Sequence, residues 1–376
     1  MNYEELDRQS RTIAARLQTL GVAGGERALL FYPPGLEYVA AFLGCLYAGV
    51  VAVPAYPPRL NRPISRLRAI AADSKATVAL TTTPILSNLE RRLAHAPEMR
   101  SLRWLATDDG KDLAEEWRCP EIGDNTLAFL QYTSGSTAAP KGVMVTHGNL
   151  LHNLATIYHG LLTPDSHMVS WLPPYHDMGL IGGVLQPLYG GFPATLMSPV
   201  SFLQRPLRWL RAISRLGADT GGGPDFAYDL CSRKITPEEL ATLDLSSWTV
   251  AFDGAEPIRQ ETLERFAATF EPCGFRWEAF YPTYGLAEAT LIVSGGSQII
   301  PPVVLPVEGA ELERDRVVAA SAGDEGTRTL VGCGRALADQ KVIVVDPEFL
   351  TRCSPDRVGE IWVSSPQRCQ RVLGPA

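Results

Sequence analysis

The feature that most limits what this chain can become is a rhythm of short apolar runs alternating with longer amphipathic segments, sustained from residue 1 to residue 294. Runs at 28–32, 50–53, 77–81, 102–106, 127–132, 168–172, 194–197 and 249–252 read as strands. Segments at 64–73, 85–94, 177–188, 206–215, 225–233 and 259–270 read as helices. A strand that is apolar along its whole length needs cover on both faces, and the intervening helices supply it. The pattern therefore predicts an α/β protein of two doubly wound, mostly parallel-sheet lobes, over 1–170 and 171–300. The first helix is written out in full: Leu6, Ile13, Leu17 and Leu20 share a face, Asn2 and Glu5 can form a capping box, and Gly21 can close the end. Past residue 300 the acidic run ELERD and the pieces LVGCG, KVIVVD and EIWV predict a partial β subdomain over 301–376, with an aberrant tail at 367–376.

Composition removes several classes. With 376 residues, 45% of them hydrophobic, the chain can bury two or three cores. Its 34 basic and 41 acidic residues leave a net charge of −7, so no global positive field attracts nucleic acid. Seven cysteines, odd in number and never spaced CxxC, argue against a disulfide framework or a structural zinc and read as reduced thiols. The uncharged stretch 38–56 is interrupted by Gly44, Gly49 and Pro54, which predicts a buried helix running into a buried strand rather than a membrane span. MNYEELDRQS lacks the basic-then-apolar order of a secretory leader, so the cytoplasm is the expected location.

Five segments carry chemistry. In LAFLQYTSGSTAAPKG an apolar strand delivers Thr133, Ser134, Gly135, Ser136 and Thr137, whose hydroxyls and backbone N–H groups can surround phosphate, followed by Lys141 to neutralise it. Pro140 before and Gly142 after the lysine exclude a Walker A loop, which needs a helix beginning there. WLPPYHDMGLIGG puts Tyr175, His176 and Asp177 at a strand-to-helix junction. GGGPDFAY, with Gly222, Gly223, Pro224, Asp225 and Phe226, permits close backbone approach to a flat or chain-like ligand beside an apolar wall. DGAEP, from Asp253 through Gly254, Ala255 and Glu256, is another such turn. In YPTYGLAEAT, Tyr284 beside Gly285 can stack on a base and Glu288 can hold magnesium. On spacing alone, His176 reads more readily as a structural histidine, and Glu288 almost as well as a capped helix start.

Together TSGSTAAPKG, AGVVAVPAYPP, DGAEP, YGLAEAT and VGEIWV resemble the motifs of the adenylate-forming superfamily of acyl-CoA synthetases, adenylation domains and luciferases. WLPPYHDMGLIGG, FLQRPLRWLRAISR, GGGPDFAYDLCSRKI and YGLAEATLIVSGG are similar to its fatty acyl-AMP ligase branch. The resemblance implies activation of a fatty acid with ATP and magnesium to an acyl adenylate, for transfer to an acyl carrier protein of a polyketide or peptide synthase. It implies catalytic roles for Lys141, His176 and Glu288, with Glu288 as the magnesium ligand. It further implies nucleotide contacts from Thr133–Thr137, Lys141, Asp253–Glu256, Thr283, Tyr284 and Gly285, and an acyl region at His176 and Gly222–Phe226. Ala138 and Ala287 depart from the commonest superfamily residues in the manner of the ligase branch. The superfamily's ribose-binding aspartate, hinge and small domain with its lysine have no counterpart in this sequence, nor does the segment usual before the first helix, which implies severely reduced adenylation. QRCQRVLGPA replaces the usual continuation, and a single-base frameshift near Pro366, or else a divergent or trimmed C-terminus, would account for it. The rival readings are an acyl-CoA synthetase and a non-catalytic nucleotide- or acyl-binding protein.

Overall fold

A computed structural model describes residues 1–56, 64–87, 99, 101–108, 110–133, 140–296, 300–369 and 372–373. By contact the chain forms two units: Met1–His152 with Pro173–Val184 and Cys369–Ala376, and Asn153–Leu172 with Leu185–Arg368. The consecutive segments 1–170, 171–300 and 301–376 do not coincide with these units. Pro173–Val184, which carries no strand, groups with the first unit, and Cys369–Ala376 joins it through the pairing of Val372 with Val143 and of Leu373 with Gly142.

In the first unit the strands are β1 (Arg27–Phe31), β2 (Val51–Ala55), β3 (Val78–Thr81), β4 (Arg103–Ala106), β5 (Leu127–Thr133) and β6 (Lys141–Thr146). They lie in the order β6-β5-β2-β1-β3-β4, parallel except for the antiparallel return of β6 along β5. The helix Tyr3–Thr19 begins with the expected capping box, in which the Asn2 side chain accepts from the Glu5 N–H at 2.8 Å and Glu5 accepts from the Asn2 N–H at 2.9 Å. Such a cap stabilises a helix by about 1 kcal/mol. The stretch 38–56 resolves into the helix Leu36–Tyr47 and β2, all five of whose residues are buried. No helix among the described residues is long and apolar enough to cross a membrane. The core here packs Leu29, Phe31, Val53, Leu67, Ile70 and Leu130. The helix expected over 85–94 lies largely outside the described residues.

In the second unit β7 (Met168–Ser170), β8 (Ala194–Leu196), β9 (Thr220–Gly223), β10 (Val250–Asp253) and β11 (Phe280–Gly285) pair in parallel in the order β8-β7-β9-β10-β11. Antiparallel β12 (Ile292–Gly295) extends this sheet. Its core is aromatic: Trp209 sits 5.1 Å from Trp248, and Tyr228 5.1 Å from Phe266, centroid to centroid, in edge-to-face contacts. The expected partial β subdomain is two antiparallel pairs, β13 (Val304–Glu308) with β14 (Thr327–Val331) and β16 (Lys341–Val345) with β17 (Glu360–Ser364). Between them β15 (Arg335–Ala336) joins the sheet through β12.

The tail is seated in the fold. Gln367 is fully buried, its side-chain amide donating to the Ile292 carbonyl, and β18 (Val372–Leu373) pairs antiparallel with β6 in the first sheet. All seven cysteines are free thiols.

Candidate active site

In the first unit, the last rung of the β5–β6 ladder sets Thr133 opposite Lys141. Lys141 is exposed and, among the described residues, has no carboxylate partner. Gly142 packs closely next to it, since a Cβ there would lie 2.9 Å from the Tyr132 ring across the ladder and the ring would have to shift. The lysine thus opens a strand rather than a helix, as its prolyl neighbour implies. Ser134, Gly135, Ser136 and Thr137 lie outside the described residues. A cation that the motif reading missed is Arg66, whose guanidinium donates to the Thr133 carbonyl at 3.1 Å and ties down the end of β5. Only the tertiary fold brings it there.

The segment carrying His176 belongs to the same unit. Gln131 of β5 donates to the Tyr175 carbonyl at 3.2 Å, and the Tyr175 and Tyr56 rings meet at 5.3 Å. His176 is exposed, with its Nδ1 2.6 Å from an Asp177 oxygen that also accepts the Met178 N–H at 2.7 Å. The hydrogen bond to Asp177 raises the imidazole pKa above its ordinary 6.5, against a smaller opposing effect of burial. Because the folded value lies above the ordinary one, protonation favours the folded form. That stabilisation is complete below the ordinary value and is lost as pH rises through the raised one. Asp177→Asn is expected to lower the His176 midpoint in an NMR titration of the ring; an unchanged midpoint would show that Asp177 does not govern it.

In the second unit three motifs sit side by side. The ends of β9, β10 and β11 are adjacent and parallel, with Asp253 paired to Gly223 on one side and to Pro282 on the other. Carboxyl ends of neighbouring parallel strands are where α/β sheets take ligands. Thr283 donates through its hydroxyl to the Asp253 carbonyl at 3.1 Å. Asp253 itself is fully buried, and neither carboxyl oxygen has a hydrogen-bond partner among the described residues. Burial first, then the charges of Asp225 and Glu256, push its pKa well above the carboxylate range. Tyr284 is half-buried at a bulge between β11 and β12, and the chain then turns so that Glu288 rides on a single 3-10 turn, Ala287–Ala289. Thr290 ends that turn with a left-handed φ of 69°, held by its hydroxyl donating to the Gln367 carbonyl at 2.6 Å.

Two expectations change. The room left by the glycines of GGGPDF is taken by the protein itself: a Cβ on Gly222 would meet the Phe252 carbonyl oxygen at 2.1 Å, and one on Gly223 the Trp171 ring at 2.6 Å. Asp225, expected among the acyl-lining residues, is buried with both oxygens engaged, one accepting the Arg259 N–H and the other the Thr262 hydroxyl, each at 3.0 Å. Phe226 of the same turn is exposed.

Residues 1–371 match the family described as AMP-binding enzyme. JamA of Moorena producens, a medium-chain-fatty-acid acyl-carrier-protein ligase, is 48% identical over 374 residues, 97% of this chain and 63% of JamA. FadD32 of Mycolicibacterium smegmatis, a long-chain-fatty-acid–AMP ligase, is 36% identical over 97% of this chain and 59% of its own length. The fatty acyl-adenylate ligase of L. pneumophila, solved in complex with acyl adenylate and pyrophosphate, superposes with a TM-score of 0.94 at 44% identity, over 100% of this chain and 65% of that one. This chain therefore spans less than two thirds of the length of each. The match runs through both sheets and every motif considered above, and the chain belongs to the AMP-binding enzyme family.

Proposed function

We propose that this chain activates a fatty acid as its acyl adenylate, at a severely reduced rate and in the cytoplasm, for transfer to the thiol of an acyl carrier protein serving a polyketide or peptide synthase. The fatty carboxylate attacks the α-phosphorus of ATP, the bond to the β-phosphate breaks, and pyrophosphate leaves. The observation that carries this reading is the alignment of Gly223, Asp253 and Pro282 on three adjacent parallel strands, which puts the DGAEP turn and the Thr283–Gly285 segment side by side at the carboxyl ends of the sheet. Thr133–Thr137 and Lys141 take the phosphates, and Lys141 offsets the charge that develops on the leaving group. Asp253, Gly254, Ala255, Thr283, Tyr284 and Gly285 take adenine, while Glu256, expected among them, has its carboxyl engaged by the Phe226 N–H. Phe226, the exposed residue of the GGGPDF turn, borders the acyl chain, and His176 keeps the acyl role that the resemblance gives it.

A single half-buried carboxylate, Glu288, fits magnesium, which takes one or two carboxylates and completes its shell with phosphate oxygens and water. When bound, the ion neutralises charge on the pyrophosphate. The relatives' names support the acyl and carrier assignments.

The test supplies the chain with fatty acid, ATP and magnesium, and with either a phosphopantetheinylated carrier protein or coenzyme A. Pyrophosphate release is expected, followed by acylated carrier protein with release of AMP. Efficient acyl-CoA formation would reassign the acceptor, and AMP binding without pyrophosphate release would leave a binding protein.

A further inference from the structure

Ala255, in the turn after β10, has a φ of 72°, a left-handed conformation that a residue with a Cβ adopts only when its surroundings impose it. Two carboxylates are bonded across the helix starts beside this turn. Asp225 is the first residue of the helix Asp225–Lys234, yet its oxygens accept from the Arg259 N–H and the Thr262 hydroxyl, at the start of the helix Gln260–Phe270. In the opposite direction Glu256, just before that second helix, accepts the Phe226 N–H of the first at 2.8 Å. Each helix start therefore has an orphan N–H satisfied by an acid from the neighbouring strand–helix unit. The strained alanine lies between Asp253, fixed on its other side by Thr283, and Glu256.

We propose that Asp225 and Glu256 are positioning residues that form a reciprocal clasp between the two helix N-termini, fixing the Asp253–Ala255 backbone in the form that receives a nucleotide base. They act through the turn and touch no ligand. The proposal rests on the nucleotide reading of that turn given above.

The experiment compares the wild-type chain with Asp225→Ala, Glu256→Ala and the conservative Asp225→Asn and Glu256→Gln. It measures AMP and pyrophosphate affinity by calorimetry and hydrogen exchange at the Phe226 and Arg259 amides. Each alanine variant is expected to speed exchange at the amide it uncaps and to weaken AMP about tenfold, the loss of one cap, while pyrophosphate affinity stays at the wild-type value. Asn and Gln keep an acceptor oxygen and are expected to restore most of the AMP affinity, which also covers an alanine variant that fails to fold. Ala255→Gly, which removes the cost of the left-handed φ, is expected to recover part of the loss in Asp225→Ala. Unchanged exchange in the alanine variants overturns the clasp. Faster exchange with unchanged AMP affinity, or equal losses for AMP and pyrophosphate, overturns the positioning role. A wild-type chain that binds no AMP overturns the nucleotide reading and the positioning role with it, while the exchange data still report whether the clasp exists.

Discussion

Gly222→Ala is expected to destabilise the second unit by about 3 kcal/mol or more, the upper range for forcing volume into a packed core. The added methyl would lie 2.1 Å from the Phe252 carbonyl oxygen and 2.6 Å from the Phe252 ring. That oxygen belongs to the strand paired with Gly222, so it cannot move without opening the ladder between β9 and β10. Rotating a side chain would relieve the ring contact but not the backbone contact. Gly160→Ala serves as the control. It lies in the helix His147–Leu161 with nothing within 4 Å of a Cβ, so alanine there is expected to be neutral or to stabilise by up to about 1 kcal/mol. Denaturation followed by the fluorescence of Trp209 and Trp248, both fully buried in this unit, reads the two variants directly. If Gly222→Ala unfolded at the wild-type midpoint, the glycine would be free to face a ligand, as its motif alone suggests.

That contrast marks where the sequence is legible. Locally encoded elements read well: the capping box at Asn2 and Glu5, and the uncharged 38–56 stretch as helix and strand, depend on neighbours within a turn or two. Thr220–Gly223 reads poorly because three consecutive glycines carry no strand propensity. They form β9 by pairing with β7 and β10, and Phe252 and Trp171 leave no room for a side chain at Gly222 and Gly223, facts written in other parts of the chain. The same holds for β15 and β18, two-residue strands whose pairing is set by long-range register, and for β6, whose lysine and glycine read as loop chemistry rather than as a strand.

The site shows the same division. Residue types and motif order point to Lys141, Asp253, Tyr284 and Glu288, and the topology brings Asp253 and Tyr284 onto adjacent strands of one sheet, with Glu288 on the turn that follows. What individual carboxylates do is another matter. Asp225 sits in a glycine-rich turn where an acid suggests a ligand contact, but its partners Arg259 and Thr262 are 34 and 37 residues away. Arg66 likewise meets Thr133 across 67 residues, which no local pattern announces.

Lys141→Ala is expected to lower the rate of fatty acid-dependent pyrophosphate release by about a hundredfold to a thousandfold, the usual loss when one preorganised charge donor is removed from a developing anion. The same substitution should leave stability within about 0.5 kcal/mol of wild type, since the side chain is exposed and, among the described residues, engages no carboxylate. The backbone N–H and carbonyl of residue 141 still close the ladder against Thr133 in the alanine variant, so the end of β5 and its Arg66 tie are retained. Lys141→Arg keeps the charge but replaces a compact ammonium with a wider planar fork, and should recover part of the rate rather than all of it. The fall should appear in kcat with the KM for fatty acid little changed, because the ammonium acts on the leaving pyrophosphate and not on the acyl chain. A rise in the fatty acid KM at constant kcat would instead place Lys141 beside the carboxylate, and a variant with full activity would remove it from the phosphate site altogether.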